Sequence, residues 1–344
     1  MFDEKNSKKM TKVVFLSILI YAILMTAIWA YFLISGEESF SFIKRSDFSI
    51  NKDTINKITY RLLFIYGIWS YAFYLLKYFL LKKIGFEKDD LKKVFSSRQS
   101  LFNLQNILSK HSERKIRIID MISRRGRTLP LLSQGFLLTY LFLEKSSTQS
   151  SFIIALERSM VISLVFLWIH IIAFYMDNIL GRILYGAHTR IMDGVSGRAN
   201  VLFILALWQN IQFIMIPLGL VLISVFPSSS YVALYAMIWL PYILVDLASE
   251  VFGSILGKQK IKVLGIGDVN RKSLSGTFFG LAFGIITALI IVFISAVPSS
   301  WFILAILVAF LSTITELYAP RPSDDFFLVI VNALVCLIFG IIIY

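Results

Sequence analysis

The chain has 344 residues, 57% of them hydrophobic and 15% aromatic, with a mean hydropathy of +0.76 and a formal net charge of +13. That balance excludes an ordinary soluble domain and marks a multi-pass membrane protein. The apolar runs have helical length and lack the alternation of a lipid-embedded barrel strand. In such a chain the excess of Lys and Arg reads as cytoplasmic loops and contact with anionic lipid head groups, in preference to nucleic acid. The single cysteine, Cys336, sits in an apolar run, which excludes an intramolecular disulfide and any cysteine-cluster metal site. The first apolar run is long enough to span a bilayer and lacks a small-residue cleavage site, so no cleavable signal peptide is expected.

Taken in order, residues 1–12 are polar and basic, and a first span is expected from Val13 to Ile34. A second runs from Arg61 to Leu81, with Lys77 placed so that its stem could snorkel to the interface. Residues 82–128 are rich in Lys and Arg, among them Lys82, Lys83, Lys92, Lys93, Arg124 and Arg125. Between the charges Leu101, Leu104, Ile107 and Leu108 recur at helical spacing. The pattern predicts amphipathic helices on the cytoplasmic membrane surface, against anionic lipid head groups. Seven further spans follow: 129–143, 152–175, 201–226, 231–256, 275–297, 300–318 and 326–344.

His170, in the fourth span, has no second ligand nearby in sequence. Gln209, Asn210 and Gln212 lie inside the fifth span, where polar residues face other helices or a cavity. The predicted fold is therefore an all-α polytopic bundle of about nine spans. The positive-inside rule puts its N-terminus in the cytoplasm, together with the loops at 177–200, 257–274 and 319–325. A boundary near residue 128 separates an N-terminal part, 1–128, from a transmembrane core, 129–344.

Two stretches carry chemistry. Asp246 and Glu250 lie four residues apart near the end of the sixth span and share a helix face. Ser249, Gly253 and Gly257 continue that stripe with small residues. Two readings stand: a small-residue packing face, or a site where a ligand approaches closely. Lys258, Lys260 and Lys262 follow, and then Lys272, Ser273, Ser275, Gly276 and Thr277 open the next span. A capped helix N-terminus with a mobile Lys beside it favours an anion. Near the C-terminus, Glu316 is followed by Pro320, Pro322, Asp324 and Asp325, three acids between two apolar spans. Carboxylates at the end of a membrane helix call for a partner, and an oxygen-ligated divalent ion would supply one.

The pieces D246-LAS, G253-SILGK258, K272-SLSGT and E316-LYAPRPS-D324-D325 resemble, in that order, the CTP-dependent membrane lipid kinases: dolichol kinase, phytol kinase and the CTP-using diacylglycerol kinase. These are related to the phosphatidate cytidylyltransferases. The resemblance covers residues 240–335, and the family has Asn where Asp325 stands. It implies transfer of the CTP γ-phosphoryl group to the hydroxyl of a membrane lipid, polyprenol-like or diacylglycerol, with Mg²⁺, at the cytoplasmic face of the cell inner membrane. Asp246, Lys272, Glu316 and Asp324 would be catalytic. Gly257, Lys258, Lys260, Lys272, Ser273, Ser275, Gly276 and Thr277 would hold phosphates, and Asp246, Glu250, Glu316, Asp324 and Asp325 form the pool of Mg²⁺ ligands. A cytidylyltransferase, which would make a CDP-lipid, and a non-enzymatic membrane protein or transporter stay open, as does a homodimer. A transporter predicts helices broken at mid-membrane, with Gln209, Asn210 and Pro217 in the fifth span as the best sign of one.

Overall fold

The computed structural model describes residues 4–39, 52–96, 106–126, 149–191, 197–226, 228–261, 272–319 and 324–343. The third expected span, Leu101, Leu104, Lys262 and the turn holding Pro320 and Pro322 lie outside the described residues. The elements are α1 (Glu4–Ser39), α2 (Lys52–Lys83), α3 (Lys88–Val94), α4 (described over 106–109), α5 (described over 113–126), α6 (Gln149–Ala173), α7 (Ile179–Gly186), α8 (Gly197–Val225) and α9 (Ser228–Leu256). A two-residue strand pair follows, β1 (Lys260–Ile261) and β2 (Lys272–Ser273), then α10 (Leu274–Ser295), α11 (Trp301–Tyr318) and α12 (Asp324–Ile343).

Among the described residues, six helices are long and apolar enough to cross a membrane: stretches of α1, α8 and α9, and all of α10, α11 and α12. The expected fourth span falls within α6, which runs over 25 residues from Gln149 to Ala173. The expected second span falls within α2. The chain forms two compact units, one of residues 1–130 and 161–209, the other of residues 131–160 and 210–344.

In the first unit, one core gathers Ile18 and Ala22 of α1 with Leu167 and Ile171 of α6, Tyr185 of α7 and Leu202 of α8. A second core joins Leu81, Phe86, Leu91 and Phe95 to Ile107, Ile116, Ile119 and Ile191. The apolar face of the basic segment is thus turned inward, onto the end of α2. Ile107, expected on a membrane-facing stripe, is buried there because Leu81 and Phe86 offer it an apolar partner within the chain.

Lys77 does not snorkel either. It is 1% exposed, its ammonium 2.8 Å from Asp120 and donating to the Thr189 carbonyl at 2.7 Å. Asp120 also accepts from the Ile191 amide at 2.8 Å, so a buried ion pair ties α2, α5 and the stretch after α7 together. A charge removed from water needs such partners, and sequence spacing alone did not reveal them. Arg198, at the start of α8, donates to the carbonyls of Phe174, Met176 and Phe95 and lies 4.9 Å from the Tyr185 ring centroid. It satisfies carbonyls at the end of α6 and after α3 that helix geometry leaves without partners.

In the second unit, α9 to α12 pack as an antiparallel bundle. α9 meets α10 through small residues. A Cβ on Gly276 would lie 2.6 Å from the Ser249 carbonyl oxygen, one on Gly280 would lie 3.1 Å from that of Val245, and one on Gly284 would lie 2.6 Å from the Val245 side chain. Only hydrogen at these positions lets the two backbones approach so closely. Opposite Gly284 stands Ala309 of α11.

Candidate functional site

The site is built at the end of this bundle where α9 and α11 finish and α10 and α12 begin. Its depth is set by a buried polar layer further in. Asn332 of α12 accepts from Ser312 of α11 at 2.8 Å and donates to the Ile238 carbonyl of α9 at 3.2 Å. That carbonyl lies near Pro241, which has no N–H to give the preceding turn and so loosens the ladder there. Because α9 and α12 run antiparallel, stepping back two turns from Asn332 to Asp325 matches stepping forward two turns from Ile238 to Asp246. Glu316 lies one turn beyond Ser312 on α11. The three carboxylates therefore agree in depth to about one helical turn, roughly 6 Å. Replacing Asn332 by leucine strands both partners, and thermal unfolding of the purified protein is expected to show a loss of about 1–3 kcal/mol.

Tyr242 lies at the same end of the bundle. It is 2% exposed, one turn before Asp246 on α9, and both Asp246 and Asp325 are close enough to act electrostatically on its hydroxyl. Sequence reasoning passed over Tyr242 and Asn332. The signals were there: a tyrosine at the i−4 position from an intramembrane acid, and one amide inside an otherwise apolar span.

Across the bundle, Lys272 reaches Glu316. Its ammonium donates both to Oε1 and to the main-chain carbonyl of Glu316, whose side chain is buried. A cation at the last turn of α11 also answers the unpaired carbonyls and dipole of that helix end. Ser273, buried, caps α10 by accepting from the Gly276 amide at 3.2 Å, and Thr277 donates to the Ser273 carbonyl at 3.1 Å. The strand pair aligns Lys260 with Ser273 and Ile261 with Lys272. The exposed Lys258 and Lys260 thus come beside the mouth of α10.

Gly253 and Gly257 lie against Ser273. A Cβ on Gly257 would be 2.7 Å from the Ser273 Oγ, and one on Gly253 would be 3.0 Å from it. The small-residue stripe is therefore occupied by helix packing. Ser275 is partly buried, with a hydroxyl that has no hydrogen-bond partner. Glu250, Asp324 and Asp325 are partly exposed.

The arrangement joins the Lys-Ser segment to Glu316 and brings Asp246 and Asp325 within electrostatic reach of one tyrosine, Tyr242. It does not draw the five acids into one cage: among the described residues no three His, Cys, Asp or Glu side chains come together as a metal cluster. The polar residues of α8 are used for packing. Gln209 accepts from Ser163, and Gln212 accepts from Ser159 at 3.0 Å. α8 and α9 run unbroken through Pro217 and Pro241, without the mid-membrane breaks expected of a transporter. His170 bonds the Phe166 carbonyl through Nδ1 at 2.7 Å, and its ring lies 6.0 Å from that of His188.

The six apolar helices and the buried polar end of the bundle define an all-α, membrane-embedded protein. No family model matches the chain, and neither a curated protein nor a solved structure matches it.

Proposed function

We propose that this end of the bundle is the site of a CTP-dependent kinase that phosphorylates the hydroxyl of a membrane lipid, polyprenol-like or diacylglycerol. The observation that carries the reading is the contact between Lys272 and Glu316. It unites two motifs that are far apart in sequence and that the lipid kinases hold in the same order. In this reading the chain crosses the inner membrane nine times, with the N-terminus and the site on the cytoplasmic side, where CTP is found.

Phosphoryl transfer needs positioning and charge neutralisation more than covalent help. Magnesium commonly takes one or two carboxylates and completes its shell with phosphate oxygens and water. Asp246 and Asp325, both within electrostatic reach of Tyr242, fit that use as two members of the pool of carboxylates. An ion held there would supply charge neutralisation to the phosphates. Lys272, Lys258 and Lys260 attract the triphosphate, and the mouth of α10 offers amide N–H groups to it. Asp324, at the first turn of α12, is the base that orients the lipid hydroxyl. The lipid reaches the site sideways between helices.

The test uses purified protein in lipid micelles with Mg²⁺, given γ-labelled or α-labelled CTP with polyprenols, diacylglycerol and phosphatidate. Label is expected to enter lipid from the γ position only. Asp246→Asn should lower that transfer by about two to three orders of magnitude. Label from the α position would show a CDP-lipid product and a cytidylyltransferase. Transfer from neither position would remove the enzyme reading.

A further inference from the structure

The basic cap at the end of α2 is the largest feature that this function leaves unused. Its apolar side chains face inward: Leu81, Phe86, Leu91, Ile116 and Ile119 share one core. Its outward side carries Lys82, Lys83, Lys92, Lys93, Arg114 and Lys115, all exposed. Acids are fewer there, and two of them are matched locally, Asp89 by Lys92 at 3.0 Å and Glu113 by Arg117. The hydrogen bond from Lys92, and then the charges of Lys92, Lys93 and Lys88, hold the Asp89 carboxyl below the usual carboxylate range. The surplus is positive. It begins within a turn of an apolar flank on α2, where Phe79 is 59% and Leu76 39% exposed. Acyl chains covering that flank would leave Lys82 and Lys83 at head-group depth.

We propose that the outward face carrying Lys82, Lys83, Lys92, Lys93, Arg114 and Lys115 binds the head groups of anionic phospholipids by charge alone, without inserting apolar side chains. An inserted amphipathic helix keeps its hold in salt through its apolar face. This cap has its apolar face committed to its own core, so its hold must fade as salt shortens the Debye length to about 3 Å near 1 M. Each lysine at the surface contributes about fivefold to the affinity.

The experiment titrates full-length protein in neutral detergent micelles with pyrene-labelled phosphatidylglycerol or phosphatidylcholine, reading energy transfer from the tryptophans. Wild-type protein should prefer phosphatidylglycerol at low salt and lose the preference in high salt. The variant Lys82→Gln/Lys83→Gln/Lys92→Gln/Lys93→Gln should lose it at low salt. If that variant shows no cooperative thermal transition, Lys83→Gln and Lys93→Gln are measured singly, each expected to weaken binding about fivefold. Equal binding of the two lipids by wild type, an unchanged preference in the variants, or a preference that survives high salt overturns the proposal. So does tighter binding of a short RNA of matched charge, which would make the face a nucleic-acid surface.

Discussion

Lys272→Met is expected to lower stability by about 3–5 kcal/mol, because it leaves the Glu316 carboxylate buried and uncompensated. Glu316→Gln should cost less, since glutamine still accepts from the ammonium. The informative variant is the pair Lys272→Met/Glu316→Leu. Replacing both members of a buried ion pair by apolar residues of similar volume is often neutral or stabilising, so the double variant should unfold close to the wild-type temperature. If the pair serves only the fold, phosphoryl transfer returns together with stability. If Lys272 handles phosphate, the double variant is stable and inactive. The proposed kinase requires the second outcome, with γ-label transfer down by about two to three orders of magnitude. A stable and active double variant would assign Lys272 and Glu316 to architecture and remove the observation on which the kinase site was built.

The helical, membrane-embedded character was legible because it rests on run length and composition, which need no partner information. The meeting of the two chemical stretches was legible in the same way: successive spans return the ends of α9 and α11 and the starts of α10 and α12 to one side. Details that depend on who sits opposite whom were not. Lys77 in a tyrosine-rich run looks like a snorkelling residue, since its partner Asp120 is distant in sequence and belongs to a segment read as a surface helix. Ile107 looks lipid-facing for the same reason. The stripe Ser249-Gly253-Gly257 fits a ligand site and a packing face equally well on spacing. Only the opposing row, Ser273-Gly276-Gly280, shows that packing occupies it. Acids that cluster in sequence say which end of a bundle they occupy, but not whether their oxygens converge.

That opposing row leads to the second large effect. Gly276→Ala adds one carbon, but that carbon would sit 2.6 Å from the Ser249 carbonyl oxygen and 3.1 Å from the Gly253 α-carbon. Both are main-chain atoms of α9, which cannot rotate away as a side chain would, so the helices must separate. Overpacking of this kind costs about 1–3 kcal/mol for a small addition, and Gly276→Leu is expected to prevent folding. Gly67 on α2 provides the contrast, because nothing lies within 4 Å of the carbon it would gain. Gly67→Ala should stabilise by roughly 0.5–1 kcal/mol through helix propensity alone. Thermal unfolding in micelles separates the two, and equal responses would refute the close α9–α10 approach. Function should be more sensitive than stability. Ser273 and Lys272 are carried on the same end of α10, so a shift of that helix withdraws Lys272 from Glu316. Gly276→Ala protein that remains folded should therefore lose most of its transfer activity, whereas Gly67→Ala protein should retain it.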